Sequence, residues 1–568
     1  MIKIFRHPQA DYYHNDIPDS PKFYQDDYLI ELKKNGFNAI WMAGILRDLC
    51  RTSAVPEWGA DKNRNVEALR KTVDQCARHD VKVFIYLNEP RGFALSSEIV
   101  SRHPDLVGQR YQAPFEAEVN GGPECFAMCA SSPKTLQYLE EGTRDLFREV
   151  PGLGGLILIT ASEHVTTCHS RAFYSELDIY SKISSLTCPR CQKGDRSVIT
   201  SKIINAIHAG TTSADPKAKV IAWNWSWSAT VEKDPQKRLI SLLHPSIAIM
   251  GDFERGDLKK INGKNRKIDE YSRSYSGPSE RFKQLRKETL RQKREVFIKL
   301  QIGTTHEIAT VNHLPLLSNL HEKIDRVKAV KPAGIMGTWN FGNFFSINTF
   351  SFNFFLDRKL KEESVDLAAL CESYFENPPE RKSFAKAMKL FRKAFDSYPF
   401  SIPFLYFSPI NYAPAFPLDF PEPEKPMAGS WVKAEWGFRL TDSFGDYKAN
   451  EIIACLKKVS EFWERGVGEL EKSFSLKINS SKESDVFYNA VGILHILKSA
   501  YHIYASWPIF LRAQKAGRPV WKDSAFQKIA KNEISHLNEL IPIFNRIPNY
   551  GRHNECQVDL FTQKMVEE

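Results

Sequence analysis

Gly154-Gly155-Leu156-Ile157-Leu158-Ile159-Thr160-Ala161-Ser162-Glu163-His164 decides the fold. A short run of apolar residues ends in a carboxylate with polar neighbours. That is the pattern of a strand in a (β/α)8 barrel delivering an acid to the carboxyl face, where such barrels place their reactive groups. A second run, Val296-Phe297-Ile298-Lys299-Leu300-Gln301-Ile302-Gly303, leads into Thr304-Thr305-His306-Glu307. Two carboxylates at strand ends point to glycosidic chemistry, which uses a pair.

Outward from these runs, the first 350 residues alternate apolar segments with amphipathic helical patterns. That is the signature of parallel α/β architecture. Eight strands are predicted, at 38–43, 81–87, 124–128, 155–160, 219–225, 246–251, 296–303 and 334–339. Helices are predicted over 23–35, 65–79, 133–148, 198–210 and 280–294. No glycine-rich phosphate loop follows the first strand, so a closed barrel is favoured over an open nucleotide-binding sheet. From residue 351 onward the periodicity becomes helical, over 362–376, 379–398, 447–474, 483–515 and 523–544. A Pro- and aromatic-rich stretch at 399–436 is too apolar for a linker and reads as an ordered wrap. The expected organisation is a TIM barrel over 1–350 followed by an all-α domain over 351–568.

Bulk properties agree with a large globular protein. The chain has 568 residues, 42% of them hydrophobic and 12% aromatic, and its 11 Trp and 20 Tyr suit sugar stacking as well as a core. The net charge of +10 is modest for this size. Of its basic runs, 259–267 and 283–294, the second reads as a solvated helix face and not as a nucleic-acid surface. No segment is apolar and long enough to span a membrane. The start, Met1-Ile2-Lys3-Ile4-Phe5-Arg6-His7, lacks the apolar core of a signal peptide. The expected location is therefore the cytoplasm, or the periplasm or exterior if a leader has been removed. The expected partner is an oligosaccharide or glycoconjugate, with no nucleic acid and no membrane. The sequence sets no oligomeric state.

Candidate site residues follow from the strand ends. Glu163 is the expected general acid/base and Glu307 the expected nucleophile. Asn88-Glu89-Pro90-Arg91 closes the strand at 81–87 and offers Glu89 and Arg91 to the substrate. Arg6, His164 and Asp252 are further hydroxyl ligands, Asp252 together with Glu254. Trp223, Trp225 and Trp227 alternate, so at least one is expected at the mouth, and Trp225 is taken as a ligand. Trp339, followed by Asn340, is expected to floor the sugar site. Lys259, Lys260 and Lys264 suggest an acidic or sulfated sugar. Catalysis needs no cofactor in this scheme. Cys188-Pro189-Arg190-Cys191 looks like half of a zinc knuckle, with Cys168 upstream and a fourth ligand from His164, His169 or Cys129. A disulfide or free thiols are the other readings of these cysteines.

Residues 20–350 resemble glycoside hydrolase family 20, the β-N-acetylhexosaminidases. The stretch from Phe126 to Glu141 is similar to the one before that family's catalytic strand. Leu158-Ile159-Thr160-Ala161-Ser162-Glu163 stands where the family carries His-x-Gly-Gly-Asp-Glu, and Asn88-Glu89-Pro90 lies near its Ile-Asp-x-Pro-Gly-His. The resemblance implies a TIM barrel with Glu163 as the acid. Ser162 replaces the Asp that orients the substrate acetamido group in that family. Glutamates after the fourth and seventh strands look instead like the double-displacement arrangement of clan A glycosidases. The expected function is thus a retaining, exo-acting β-glycoside hydrolase, with large inserts at 166–196 and 253–279 walling off a pocket. A substrate-assisted β-N-acetylhexosaminidase and a non-catalytic glycan-binding barrel are the alternatives.

Overall fold

A computed structural model describes residues 1–10, 15–112, 121–161, 164–170, 186–421, 439–474 and 481–568. Eight parallel strands close into a barrel: β1 (Ile2–Phe5), β2 (Ala39–Gly44), β3 (Lys82–Leu87), β4 (Gly155–Leu158), β5 (Lys219–Trp223), β6 (Ala248–Asp252), β7 (Val296–Lys299) and β8 (Gly334–Met336). Each strand pairs with its sequence neighbours, and β1 closes the ring by pairing with both β2 and β8. β2 reads Ala-Ile-Trp-Met-Ala-Gly with almost every side chain buried, as expected where one strand face fills the barrel and the other meets helices.

Helices alternate with the strands in chain order. They include Asp26–Lys34, Lys62–Arg78, Pro133–Glu149, Arg196–Ala214 and Glu280–Arg291. This is a (β/α)8 TIM barrel, with an all-α region after it. Two predicted strand assignments differ from the structure. Glu124–Met128 is a strand, but it is the middle member of a separate antiparallel sheet with Phe93–Ala94 and Val107–Gln112. The strand the barrel uses instead is β1, whose four residues are too few to stand out as an apolar run. One omission and one surplus cancel, so the strand ending before Glu163 is still the fourth.

The chain forms two compact units. The first comprises Met1–Phe253, Glu280–Leu300 and Pro332–Gly337, and so holds the whole barrel. The second comprises Glu254–Ser279, Gln301–Lys331 and Thr338–Glu568. The segments that follow β6, β7 and β8 therefore group with the C-terminal helices. Those helices include Glu363–Tyr374, Arg381–Phe395, Ala449–Phe474, Ser481–Lys515 and Ser524–Leu540. In the predicted wrap, Ile402–Phe407 is a helix followed by two single 3-10 turns, and residues 422–438 lie outside the described ones. Among the described residues, no helix is long and apolar enough to cross a membrane.

Candidate active site

The first unit carries polar side chains at the carboxyl ends of its strands. Pairing runs Leu87–Leu158–Ala222–Ile249 across β3 to β6, which defines one level of the barrel. Glu89 and Asp252 lie two and three residues beyond that level, and both are buried. Each is held by fixed donors. Glu89 Oε1 accepts from the Leu46 N–H at 2.8 Å and Oε2 from the Arg91 N–H at 2.9 Å. Asp252 Oδ1 accepts from the Trp223 indole N–H at 2.9 Å. Burial pushes the Glu89 carboxyl above its ordinary range, against the pull of the Arg47 charge. That is the direction a general acid requires.

The other expected ligands of this unit have defined places. Arg6 donates to Asp16 Oδ2 at 2.8 Å and lies 3.8 Å over the Trp41 ring. The same Asp16 oxygen accepts from the Ala43 N–H at 2.8 Å, so the Arg6 head is part of a buried polar link between β1 and β2. Arg91 is buried, and among the described residues its Nε and Nη1 have no hydrogen-bond partner. His164 is buried. The Trp trio does not alternate along one strand, because β5 ends at Trp223 and a short helix starts at Trp227. Trp223 and Trp227 are fully buried, whereas Trp225 is half-buried and meets Trp223 edge-on with ring centroids 5.8 Å apart.

Glu163 and Ser162 lie outside the described residues. Their neighbour Ala161 has a φ of +59°, a conformation that disfavours a side chain and that clusters at functional sites. It is held on both sides. Its N–H donates to Thr166 Oγ1 at 2.9 Å, and its carbonyl accepts from the Thr230 hydroxyl.

Glu307 belongs to the second unit, where four donors meet its carboxylate. Its Oε1 accepts from the Ser272 hydroxyl at 2.9 Å and the Ser274 N–H at 3.1 Å. Its Oε2 accepts from the Arg273 N–H at 2.7 Å and the Thr305 hydroxyl at 2.9 Å. A carboxylate has about four lone-pair sites, and these four donors use them. The side chain is fully buried and clamps the turn at 272–274 onto the segment after β7. Beside it, Arg273 Nη1 donates to the Gln301 carbonyl at 3.1 Å, and Lys323 pairs with the buried Glu254.

Trp339 and Asn340 are also in the second unit. Trp339 is buried and its N–H donates to Gln301 Oε1 at 2.7 Å, while Asn340 Nδ2 donates to Glu555 Oε1 at 3.0 Å. Glu555, with His306 and His553, forms a buried cluster whose ligand-type atoms lie within 4.8 Å of one another. Sequence reasoning missed Glu555 and His553 because they sit near the end of the chain, far from any strand end. Two of the three lysines expected to bind acidic sugar are engaged elsewhere, and Lys260 is exposed. Lys259 donates to the carbonyls of Ser274 and Phe395, both at 3.0 Å, and Lys264 pairs with Glu451.

The expected metal ligands Cys168, Cys188 and Cys191 do converge, and Cys129 joins them. Cys129 comes from the end of the inserted antiparallel sheet. His169 instead approaches the Thr200 hydroxyl at 3.4 Å.

No protein-family model matches the chain, and no curated protein matches it. Solved structures do. A GH138 enzyme targeting the pectin rhamnogalacturonan II aligns over 98% of this chain at a TM-score of 0.57 and 10% identity. The chain spans 63% of that enzyme's length. Alpha-L-fucosidase isoenzyme 2 from Paenibacillus thiaminolyticus aligns over 63% of this chain and 49% of its own, with a TM-score of 0.36 and 14% identity. A GH5_18 protein from Streptomyces cattleya aligns over 59% and 69%, with a TM-score of 0.32 and 11% identity. At such identities the first likeness shows the fold, and the family 20 resemblance rests on its sequence motifs alone.

Proposed function

We propose that this chain is a glycoside hydrolase acting at the carboxyl end of its barrel, with Glu163 as general acid/base. The observation that carries the reading is the pair of buried carboxylates, Glu89 and Asp252, just past a common level on β3 and β6. Their strands lie on either side of β4 and β5 in the barrel, and Glu163 follows β4 in the sequence. Carboxyl groups gathered at the strand ends of one barrel are what glycosidic chemistry requires. The likeness to the GH138 enzyme along nearly the whole chain supports a glycan as the substrate class.

The second catalytic carboxylate in this proposal is Asp252 and not Glu307. Glu307 already serves four donors of its own unit. Presenting it to an anomeric carbon would strip those donors in a buried place, at about 1–3 kcal/mol for each one left unsatisfied. The half-buried Trp225 is the indole of the trio offered for stacking. The unpartnered donors of Arg91 suit a sugar hydroxyl or carboxylate, which moves the acidic-sugar reading from the lysines to this residue. Retention and action from a chain end are the finer part of the proposal. Retention requires the two carboxyl groups to stand roughly 5–5.5 Å apart across the sugar.

The test is hydrolysis of a panel of nitrophenyl glycosides and acidic oligosaccharides by the parent, Glu163→Gln and Asp252→Asn proteins. Both variants are expected to lose at least about a hundredfold in kcat/KM. The anomer released first, read by NMR, is expected to keep the substrate configuration. Activity of Glu163→Gln within about tenfold of the parent would remove Glu163 from the mechanism. Glycan binding with no turnover by the parent would favour the binding-barrel alternative.

A further inference from the structure

We propose that Cys129, Cys168, Cys188 and Cys191 hold one structural Zn2+ in a tetrathiolate site, which ties the loop after β4 to the antiparallel sheet inserted after β3. The four sulfurs come from three distant stretches of chain, all four residues are buried, and every sulfur lies within 4.8 Å of the others. Cys129 Sγ stands 3.7 Å from Cys188 Sγ and 3.6 Å from Cys191 Sγ. A zinc ion bound tetrahedrally at about 2.3 Å per sulfur requires sulfur–sulfur edges of about 3.8 Å. None of the four is in a disulfide.

The local chain is built for the site. The Cys188 carbonyl accepts from the N–H groups of Cys191 at 3.1 Å and Gln192 at 2.9 Å, and the Cys191 carbonyl from Gly194 at 3.0 Å. These bonds curl the Cys188–Cys191 segment so that both sulfurs face one point. Arg190 Nε donates to Cys129 Sγ at 3.3 Å, and the Ser131 hydroxyl lies 3.3 Å from Cys191 Sγ. Four thiolates around one dication leave a net charge of −2, and a guanidinium on the sulfur offsets part of it. Such outer partners orient ligands and tune affinity.

Close approach is purchased by a glycine. A Cβ on Gly108 would stand 2.5 Å from Cys168 Sγ and 2.6 Å from the Ala127 carbonyl oxygen. The strand Val107–Gln112 also grips the loop on both sides of the site. Its Tyr111 hydroxyl donates to the Cys168 carbonyl at 3.0 Å and the Ser170 carbonyl at 2.6 Å, and Gln109 Oε1 accepts from the Thr187 N–H at 2.7 Å. Four protein ligands leave no open position, so the ion is structural and takes no part in a reaction.

The test is elemental analysis of the purified full chain, with cobalt(II) exchanged into the parent protein as a second measurement. About one zinc per chain is expected, and the cobalt form should show thiolate-to-cobalt charge-transfer bands and intense tetrahedral d–d bands. Cys188→Ser should lose most of the metal. Failure of that variant to fold leaves the cobalt spectrum of the parent to decide. Protein made in zinc-supplemented medium that carries no stoichiometric zinc would overturn the proposal. So would iron in place of zinc, or disulfides among these four cysteines by peptide mapping.

Discussion

Glu307→Gln separates two readings of the same residue. Four donors converge on the carboxylate, two on each oxygen. Glutamine keeps one oxygen and turns the other into an NH2. Two of the four donors then lose their acceptor and face hydrogens. Each buried donor left unsatisfied costs about 1–3 kcal/mol. Arg273 loses a nearby negative charge as well; its guanidinium is fully buried, and burial already lowers its pKa to about 10 against the pull of Glu307 and Glu254. Together these effects come to about 4 kcal/mol. For a unit of about 290 residues, with an unfolding entropy of about 2.1 cal/mol/K per residue, that lowers the thermal midpoint by about 7 °C. The assay is a pair of melting curves, by circular dichroism and by intrinsic fluorescence, with activity measured well below both midpoints. A nucleophile would behave in the opposite way, with kcat falling by orders of magnitude and the midpoint staying in place. A midpoint within about 1 °C of the parent would therefore refute the clamp. Ser272→Ala removes one donor and leaves Oε1 its bond from Ser274, so a loss of only about 1 kcal/mol is expected.

Asp16→Asn breaks the buried pair with Arg6 while keeping the shape; unfolding in urea should show the first unit destabilised by about 3 kcal/mol. Gly303→Ala puts a Cβ into the Gly342 backbone, which itself turns at a φ of +67°; a loss of about 2–3 kcal/mol is expected, and a neutral result in the same unfolding assay would mean that these two loops can move apart. His553 is buried, and burial lowers its pKa from 6.5 to about 4. The unfolded chain therefore takes up this proton first, so stability is untouched above pH 6.5 and falls as pH drops from 6.5 towards 4. Over that window the parent should lose up to about 1.4 kcal/mol per pH unit more than His553→Gln, and parallel stability–pH curves would count against it.

Most of the barrel is legible because its strands are short apolar runs between amphipathic helices. The exceptions have physical causes. Ile2-Lys3-Ile4-Phe5 is brief and interrupted by a charge, so it carries little pattern of its own; its identity as a strand comes from pairing with β2 and β8. Glu-Cys-Phe-Ala-Met at 124–128 has the composition of a barrel strand, yet its partners run antiparallel, and composition does not encode the direction of a partner. Glu89 and Asp252 could be located because strand ends are local features. The donors that meet Glu307 could not, because three of the four sit at 272–274, more than thirty residues earlier in the chain. Cys129 was one of three candidates for the fourth sulfur position, and only tertiary structure separates it from His164 and His169.

The seam of the barrel carries a consequence for how the protein is made. Ile2 to Ile4 leave the ribosome long before Gly334 to Met336, with which they pair on one side. At roughly 5–20 residues per second, that interval is some tens of seconds. During it the growing sheet has two open edges, both able to recruit a foreign strand. The nascent chain is thus at greater risk of aggregation than the finished one. Slower growth at lower temperature, or a chaperone that shields exposed strands, should raise the yield of soluble protein without any change in the stability of the molecule that results.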